Sequence, residues 1–301
     1  SGQTIGPFHR KFDKWYARFA LNHAHMITFR DKSISKTRLA AIGVSKAIML
    51  DTADDAMTIP AINKENALDL FHRETGWHRD KLMGSLVVVM NLKASLKMFK
   101  GLDRSGRLSN EIELMARIAD ELVQRYDARV YFIATDYNAT TDDRELNRKI
   151  LSKMSFASHS RCIDGEYPDS TLKGLIGLAD VAIGSRYHFA VFAASQRVPF
   201  LGMASGIYQQ TKLKGLADLC GLPRCFVKAD MEFAEFGAVW PQVADFIANR
   251  HEIRAALEHV VPELELRSRT AVREAVRVLQ QMREKQPLGR QGRGNGALWP
   301  Q

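Results

Sequence analysis

Short apolar, β-branched runs alternate along most of this chain with stretches whose apolar residues recur at helical spacing, and that alternation restricts the fold more than any other feature. Residues 86–91 (LVVVMN) form a continuous apolar run of the kind that suits a parallel strand covered on both faces. Leu108, Ile112, Met115, Ala119 and Leu122 then predict a helix over 108–126, and 130–134 reads as the next strand. The pattern continues with helices over 146–154 and 171–178 and strands over 161–163, 181–183, 198–201 and 225–227. Parallel strands need a crossover between them, so this order predicts a doubly wound parallel sheet. Ahead of it, a helix over 10–24, a strand over 26–29, a helix over 35–42 and a strand over 47–50 read as the tail of another α/β unit. Two helices, 239–257 and 260–284, follow the last strand.

Composition sets the outer bounds. With 301 residues and 46% hydrophobic content, the chain is long enough for one large or two smaller cores. The net charge of +9 favours anionic partners, but much of the excess lies beyond residue 262, where eight Lys and Arg stand against four Glu. No zinc spacing, RNA-binding aromatic motif or basic-zipper pattern accompanies the charge, so nucleic acid is not the expected partner. The histidines lack ligand spacing such as H-E-x-x-H, and no metal site is expected. Cys162, Cys220 and Cys225 are few and odd in number, which fits reduced thiols and a cytoplasmic setting. Apolar runs are too short to span a bilayer and no signal peptide is read, leaving peripheral work at the inner membrane face as an open expectation. Nothing fixes an oligomeric state.

The most informative segment is Ala179-Asp180-Val181-Ala182-Ile183-Gly184-Ser185-Arg186-Tyr187-His188, a buried strand that breaks at Gly184-Ser185 and opens into an apolar helix. Backbone N–H groups at a helix start are unpaired and carry partial positive charge, so Arg186 beside them makes an anion cradle. His188 is a proton donor within reach of the anion. The plainer alternative is an ordinary strand-to-helix turn with Ser185 as a cap. In an open parallel sheet, ligands bind beyond the carboxyl ends of the strands. Asn91, Lys93, Thr135, Asp136, Asp164, Glu166, Ser185, Arg186, His188 and Ser205 all fall at such ends. Asp142-Asp143 precedes a helix, as an N-cap or an active-site contact. Lys212 and Lys214 follow a Gly-containing loop, either leaning over the crevice toward phosphate or forming a solvated helix end. Arg30, with Asp31, faces the cleft from the first unit or makes a surface ion pair, and Tyr208 is a sugar platform or a loop anchor.

The order of several short motifs resembles the polysaccharide pyruvyl transferase family. They are GQTIGPF at 2–8, ITFRD at 27–31 followed by Ser33, Leu39 and Gly43-Val44, ADDA at 53–56, and the pair Asp142-Asp143. Arg186-x-His188, RVPFLG at 197–202, Tyr208, Lys212, KGL at 214–216 and CGLP at 220–223 complete the series, which runs from Gly2 to about Val227. The resemblance implies two doubly wound Rossmann-like α/β domains in a GT-B-like architecture. The family places its GQxIGPF segment after earlier βα units, so the first domain is expected to be shortened at its N-terminus. The implied boundaries are 1–60 for the end of the first domain, 61–82 for a linker, 83–235 for a donor-binding domain, 236–285 for C-terminal helices and 286–301 for a disordered tail.

The implied reaction moves the enolpyruvyl group of phosphoenolpyruvate onto two hydroxyls of a sugar, in an exopolysaccharide or its precursor, to form a pyruvate ketal. Phosphoenolpyruvate is then the donor substrate, no cofactor is needed, and the acceptor is a sugar or a lipid-linked oligosaccharide. Within that reading Arg186 clamps the donor anion, His188 is general acid and base, and Lys212 and Arg30 are auxiliary anion contacts. Ser185, Lys214, Asn91 and Glu166 are further substrate contacts. Two other classes stay open: a GT-B-type glycosyltransferase using a nucleotide sugar, and a non-catalytic domain that binds an anionic metabolite or assembles with other proteins.

Overall fold

The computed structural model describes residues 5–6, 8, 10–31, 34–78, 82–93, 104–138 and 142–285. In chain order, helix α1 (Lys11–Asn22), strand β1 (Met26–Phe29), helix α2 (Ile34–Ala41) and strand β2 (Ile48–Asp51) form a small first lobe. A 3-10 turn (Asp55–Thr58) and helix α3 (Lys64–Thr75) lead into the larger part. There β3 (Val87–Asn91), α4 (Arg104–Tyr126), β4 (Arg129–Ile133), α5 (Asp143–Lys153), β5 (Ser160–Ile163) and α6 (Asp169–Ile176) form the first half of a sheet with its helices. The second half is β6 (Val181–Gly184), α7 (Tyr187–Ser195), β7 (Phe200–Ala204), α8 (Gly206–Leu219) and β8 (Phe226–Asp230). Helices α9 (Phe236–Ala248) and α10 (Arg250–Lys285) close the described chain.

The predicted parallel sheet is present, six-stranded, in the order β5-β4-β3-β6-β7-β8. Every neighbouring pair runs parallel; Val88 is opposite Val130 on one side and Val181 on the other. All residues of β3, β6 and β7 are buried, as parallel strands covered on both faces require. Strand order reverses between β3 and β6, and the crevice outside their carboxyl ends is where such a sheet binds ligands. The first lobe is a parallel pair, β1 with β2, and has its own core of Ile27, Phe29, Leu39, Val44 and Ala47.

Two expectations need correction. Residues 61–82 are not a plain linker, because α3 lies inside them. The Asn63 side chain caps it on the N–H of Asn66 at 2.8 Å and Gly76 ends it at φ +66°, which are ordinary helix-boundary signals. The C-terminal helices break at Asn249 and not after 257, and Pro262 lies inside α10. Asn249 ends α9 by turning its amide back onto the Asp245 carbonyl at 2.7 Å. The tail 286–301 lies outside the described residues.

The junction between the lobes is tied from several directions. Lys173 of α6, 2% exposed, donates to the carbonyls of Met57 at 2.9 Å, Ile59 at 2.6 Å and Ala56 at 3.4 Å. Burial, opposed by Glu265 and reinforced by Arg197, pulls its pKa down to about 8. The Ile62 N–H bonds the Ser170 carbonyl at 3.0 Å, and a Cβ on Gly174 would meet Ile62 at 2.5 Å, so α6 lies directly on this segment. From α10, Ser268 donates to the Asp54 carbonyl at 3.0 Å and Arg267 pairs with Asp51 at 3.0 Å.

Candidate active site

The site forms where β3 and β6 end side by side. A Cβ on Gly184 would lie 2.7 Å from the Asn91 carbonyl oxygen and 2.8 Å from the Phe189 ring, so only glycine lets β6 finish against β3 and turn at once into α7. Ser185 stitches that turn: its N–H donates to the Asn91 carbonyl at 3.1 Å, and its Oγ accepts the Lys93 N–H at 2.6 Å. It is therefore not the cap of α7. The N-cap is Arg186, which makes no side-chain capping bond.

Beyond the turn lies a cleft of about 220 Å³, lined by Lys93 after β3, Thr135 and Asp136 after β4, Ser185 to His188, and Tyr208, Gln209, Lys212 and Leu213 of α8. Of the predicted site residues it collects Ser185, Arg186, His188 and Lys212. The other four lie elsewhere. Asn91 is fully buried and donates to the Ile133 carbonyl at 2.9 Å and to Asp143 at 3.1 Å, so it positions the site's carboxylate and cannot touch a ligand in the cleft. Lys214, on an outer face of α8, pairs with Asp218 at 2.5 Å. Glu166 is exposed and outside the lining. Arg30 pairs with Asp54 and stacks its guanidinium 4.0 Å over the Tyr187 ring, bracing the site from behind. Ser205, also at a strand end, donates to the buried Glu111 instead.

Arg186 is held more tightly than an open anion clamp would be. Its Nη2 lies 2.6 Å and its Nε 3.0 Å from Asp143 Oδ1, and its Nη1 lies 2.7 Å from Asp136. All three guanidinium nitrogens thus engage carboxylates. Asp143 is fully buried and also accepts the Thr135 N–H at 3.2 Å. Burial pushes its carboxyl above the ordinary value, while Arg186, Asn91 and the Thr135 N–H pull it back. The acidic pair therefore splits: Asp142 caps α5 on the Arg144 N–H at 2.9 Å, and Asp143 turns inward to the site. Asp143 and Asp136 are the residues that sequence reasoning undervalued. A carboxylate at the first position of a helix carries no mark of which way it points.

His188 reaches solvent, yet the surrounding walls remove enough water to lower its pKa below 6.5; Arg30 and Lys212 add to the lowering, and Asp54 and Asp169 oppose it. At neutral pH the imidazole is poised to accept a proton, and a bound anion would favour its charged form. Tyr187 beside it is half-buried and hydrogen-bonded to Asp54, and the desolvation of its hydroxyl raises that group's pKa well above 10.0. Lys212 holds its ammonium 4.3 Å from the centre of the Tyr208 ring. Among the described residues no group of three or more His, Cys, Asp and Glu side chains is placed to hold a metal ion, and no helix is long and apolar enough to cross a membrane.

Several solved structures share this architecture. The S. aureus MnaA–UDP co-structure matches with a TM-score of 0.56 at 14% identity, covering 87% of this chain and 63% of that one. A glycosyltransferase from Rickettsia africae ESF-5 gives 0.55 at 10% identity, covering 93% and 69%. An α,α-trehalose 6-phosphate synthase from Burkholderia multivorans gives 0.53 at 13% identity, covering 92% and 66%. The chain spans less than two thirds of the length of the first of these. Such likeness shows the fold, which is α/β with parallel sheets of the GT-B kind. No curated protein matches the sequence. The family profile described as polysaccharide pyruvyl transferase matches residues 1–206.

Proposed function

Because this chain belongs to the polysaccharide pyruvyl transferase family, we propose that its cleft takes phosphoenolpyruvate as donor and passes the pyruvyl unit to two hydroxyls of a sugar in a polysaccharide or its precursor. The observation that carries this reading is the union, in one small cavity at the sheet's switch point, of an uncapped helix start, lysine ammonium groups and a histidine. A volume of about 220 Å³ falls below the ~300–1,000 Å³ of pockets for drug-sized ligands. It suits a three-carbon phosphate ester better than a nucleotide sugar.

The chemistry divides among these groups. Carbon 3 of the enolpyruvyl unit takes a proton, which makes carbon 2 electrophilic. A sugar hydroxyl attacks carbon 2 and gives up its proton, phosphate leaves, and the second hydroxyl closes the ketal ring. His188 is the proton carrier: binding of the donor anion raises its pKa from the lowered resting value, so it delivers a proton and afterwards serves as base for a hydroxyl. The α7 N-terminus receives donor negative charge. Arg186, fixed by Asp136 and Asp143, supplies positive potential to the cleft floor from a set position. In this reading no cofactor takes part, and the acceptor is a sugar or a lipid-linked oligosaccharide.

The test is to incubate the chain with phosphoenolpyruvate and candidate sugar diols while following phosphate release and ketal formation by NMR. His188→Gln should lower turnover about 10²–10⁴-fold with little change in donor affinity. The MnaA relative was solved with UDP, so a parallel thermal-shift titration with UDP decides between donors. Stabilisation by UDP and none by phosphoenolpyruvate would replace this reading with a nucleotide-sugar one.

A further inference from the structure

We propose that Lys93 and Lys212 form the phosphate-binding pair of the cleft; the assignment rests on the phosphoenolpyruvate reading above and places the donor's phosphate between these two ammonium groups. Sheet order brings them together. Strand β6 lies between β3 and β7, so Lys93 after β3 and Lys212 on the helix after β7 flank the β6–α7 turn that carries Arg186 and His188. All four line the same cavity.

Among the described residues three cations line that cavity, and they differ in what already neutralises them. Arg186 has every guanidinium nitrogen on Asp136 or Asp143. Among the described residues neither lysine has a carboxylate within ion-pairing distance, and Lys212 rests against the face of Tyr208. Positive charge on Lys93 is disfavoured by burial first, then by Arg186 and Lys212, and only partly compensated by Asp136 and Asp143. A dianion placed between the two lysines reverses that balance. An ammonium on a flexible stem also suits a phosphate, which presents oxygens in several directions and needs no planar fork. The Lys93 backbone is pinned by its N–H bond to Ser185 Oγ at 2.6 Å, so Lys93 is tied to the β6–α7 turn and, though far from His188 in sequence, lines the same cavity.

Phosphoenolpyruvate and inorganic phosphate are titrated by calorimetry into the full chain and into Lys93→Gln, Lys93→Arg and Lys212→Gln, with Tm recorded for each. The backbone bond to Ser185 survives these side-chain changes, so Tm should hold. Kd for both ligands should rise about tenfold or more in each Gln variant and recover in large part in Lys93→Arg. A Lys93→Gln chain that folds like the parent and binds both ligands as tightly overturns the pair while leaving the donor reading standing. Inorganic phosphate bound in a Lys93-dependent way by a parent that refuses phosphoenolpyruvate supports the pair and removes the donor reading. A parent that binds neither ligand overturns both.

Discussion

Arg186 and Lys212 face the same cleft and are held in opposite ways. The arginine sits in a closed network, with a fully buried Asp143 that is itself fixed by Asn91 and the Thr135 backbone. The lysine stands on a helix face with a tyrosine ring as its near neighbour. A buried charge pair whose members are fully engaged is a structural commitment, costly to break and unavailable for rearrangement. A cation without a carboxylate keeps its charge for a ligand. The same type of residue, a cation at the mouth of a parallel sheet, is thus locked into the fold on one wall and left facing the open cleft on the other.

The sharpest way to break the comparison is Arg186→Ala. It leaves the buried Asp143 without its main partner and should cost about 3–5 kcal/mol of stability, measured by urea unfolding. The cost has a pH signature. Loss of Arg186 raises the Asp143 carboxyl further above its unfolded 3.8, so the folded variant holds a proton that the unfolded chain releases. Its stability should therefore fall as pH rises through and above 3.8, making the deficit larger at pH 7 than at pH 4. Equal deficits at both pH values would show that Asp143 is not the group left stranded. Adding Asp143→Leu should return much of the loss, because the uncompensated charge is then gone.

A second, smaller effect comes from Lys173, which like Arg186 is spent on structure. Lys173→Met strips donors from the carbonyls of Met57 and Ile59 and should cost about 1–3 kcal/mol, with faster proteolysis between residues 52 and 62. Because its folded pKa is about 8 against an ordinary 10.5, the unfolded chain binds more protons between those values. The parent's stability contribution from this group should rise with pH from 8 to 10.5, and the variant should lack that rise. The smallest effect is expected at Lys214, whose pairing with Asp218 is exposed. Lys214→Ala should change stability by less than about 0.5 kcal/mol and leave donor affinity as it was. A donor Kd that rises as it does for Lys212→Gln would put Lys214 back in the site.

Much of the second lobe was legible from local pattern. The 86–91 run became β3, and the strand break at Gly184-Ser185 fell at the switch point because burial on both faces and a glycine-only contact leave clear marks on a few adjacent residues. Helix α3 was missed although Asn63 and Gly76 announce its ends, since its exposed face is polar enough to read as a linker. The spacing places the break between the C-terminal helices after 257, whereas it falls at Asn249 and α10 runs on through Pro262. Among site residues, those grouped on one turn, Ser185, Arg186 and His188, were found together. Asn91, Arg30, Lys214 and Glu166 share positions at strand or helix ends; the structure sends the first three to other partners and leaves Glu166 exposed outside the cleft.

What the sequence by itself determined is the class of fold, the position of the crevice and the family, because strand and helix periodicity and motif order are properties of neighbouring residues. What only the tertiary structure decided is the assignment of charges: Arg186 to Asp143 across 43 residues and to Asp136, Arg30 to Asp54 and the back of Tyr187, and Lys93 and Lys212 to the open cleft. Ion pairing depends on separation in space and on how much water is excluded, and neither quantity is written in the spacing of residues along a chain.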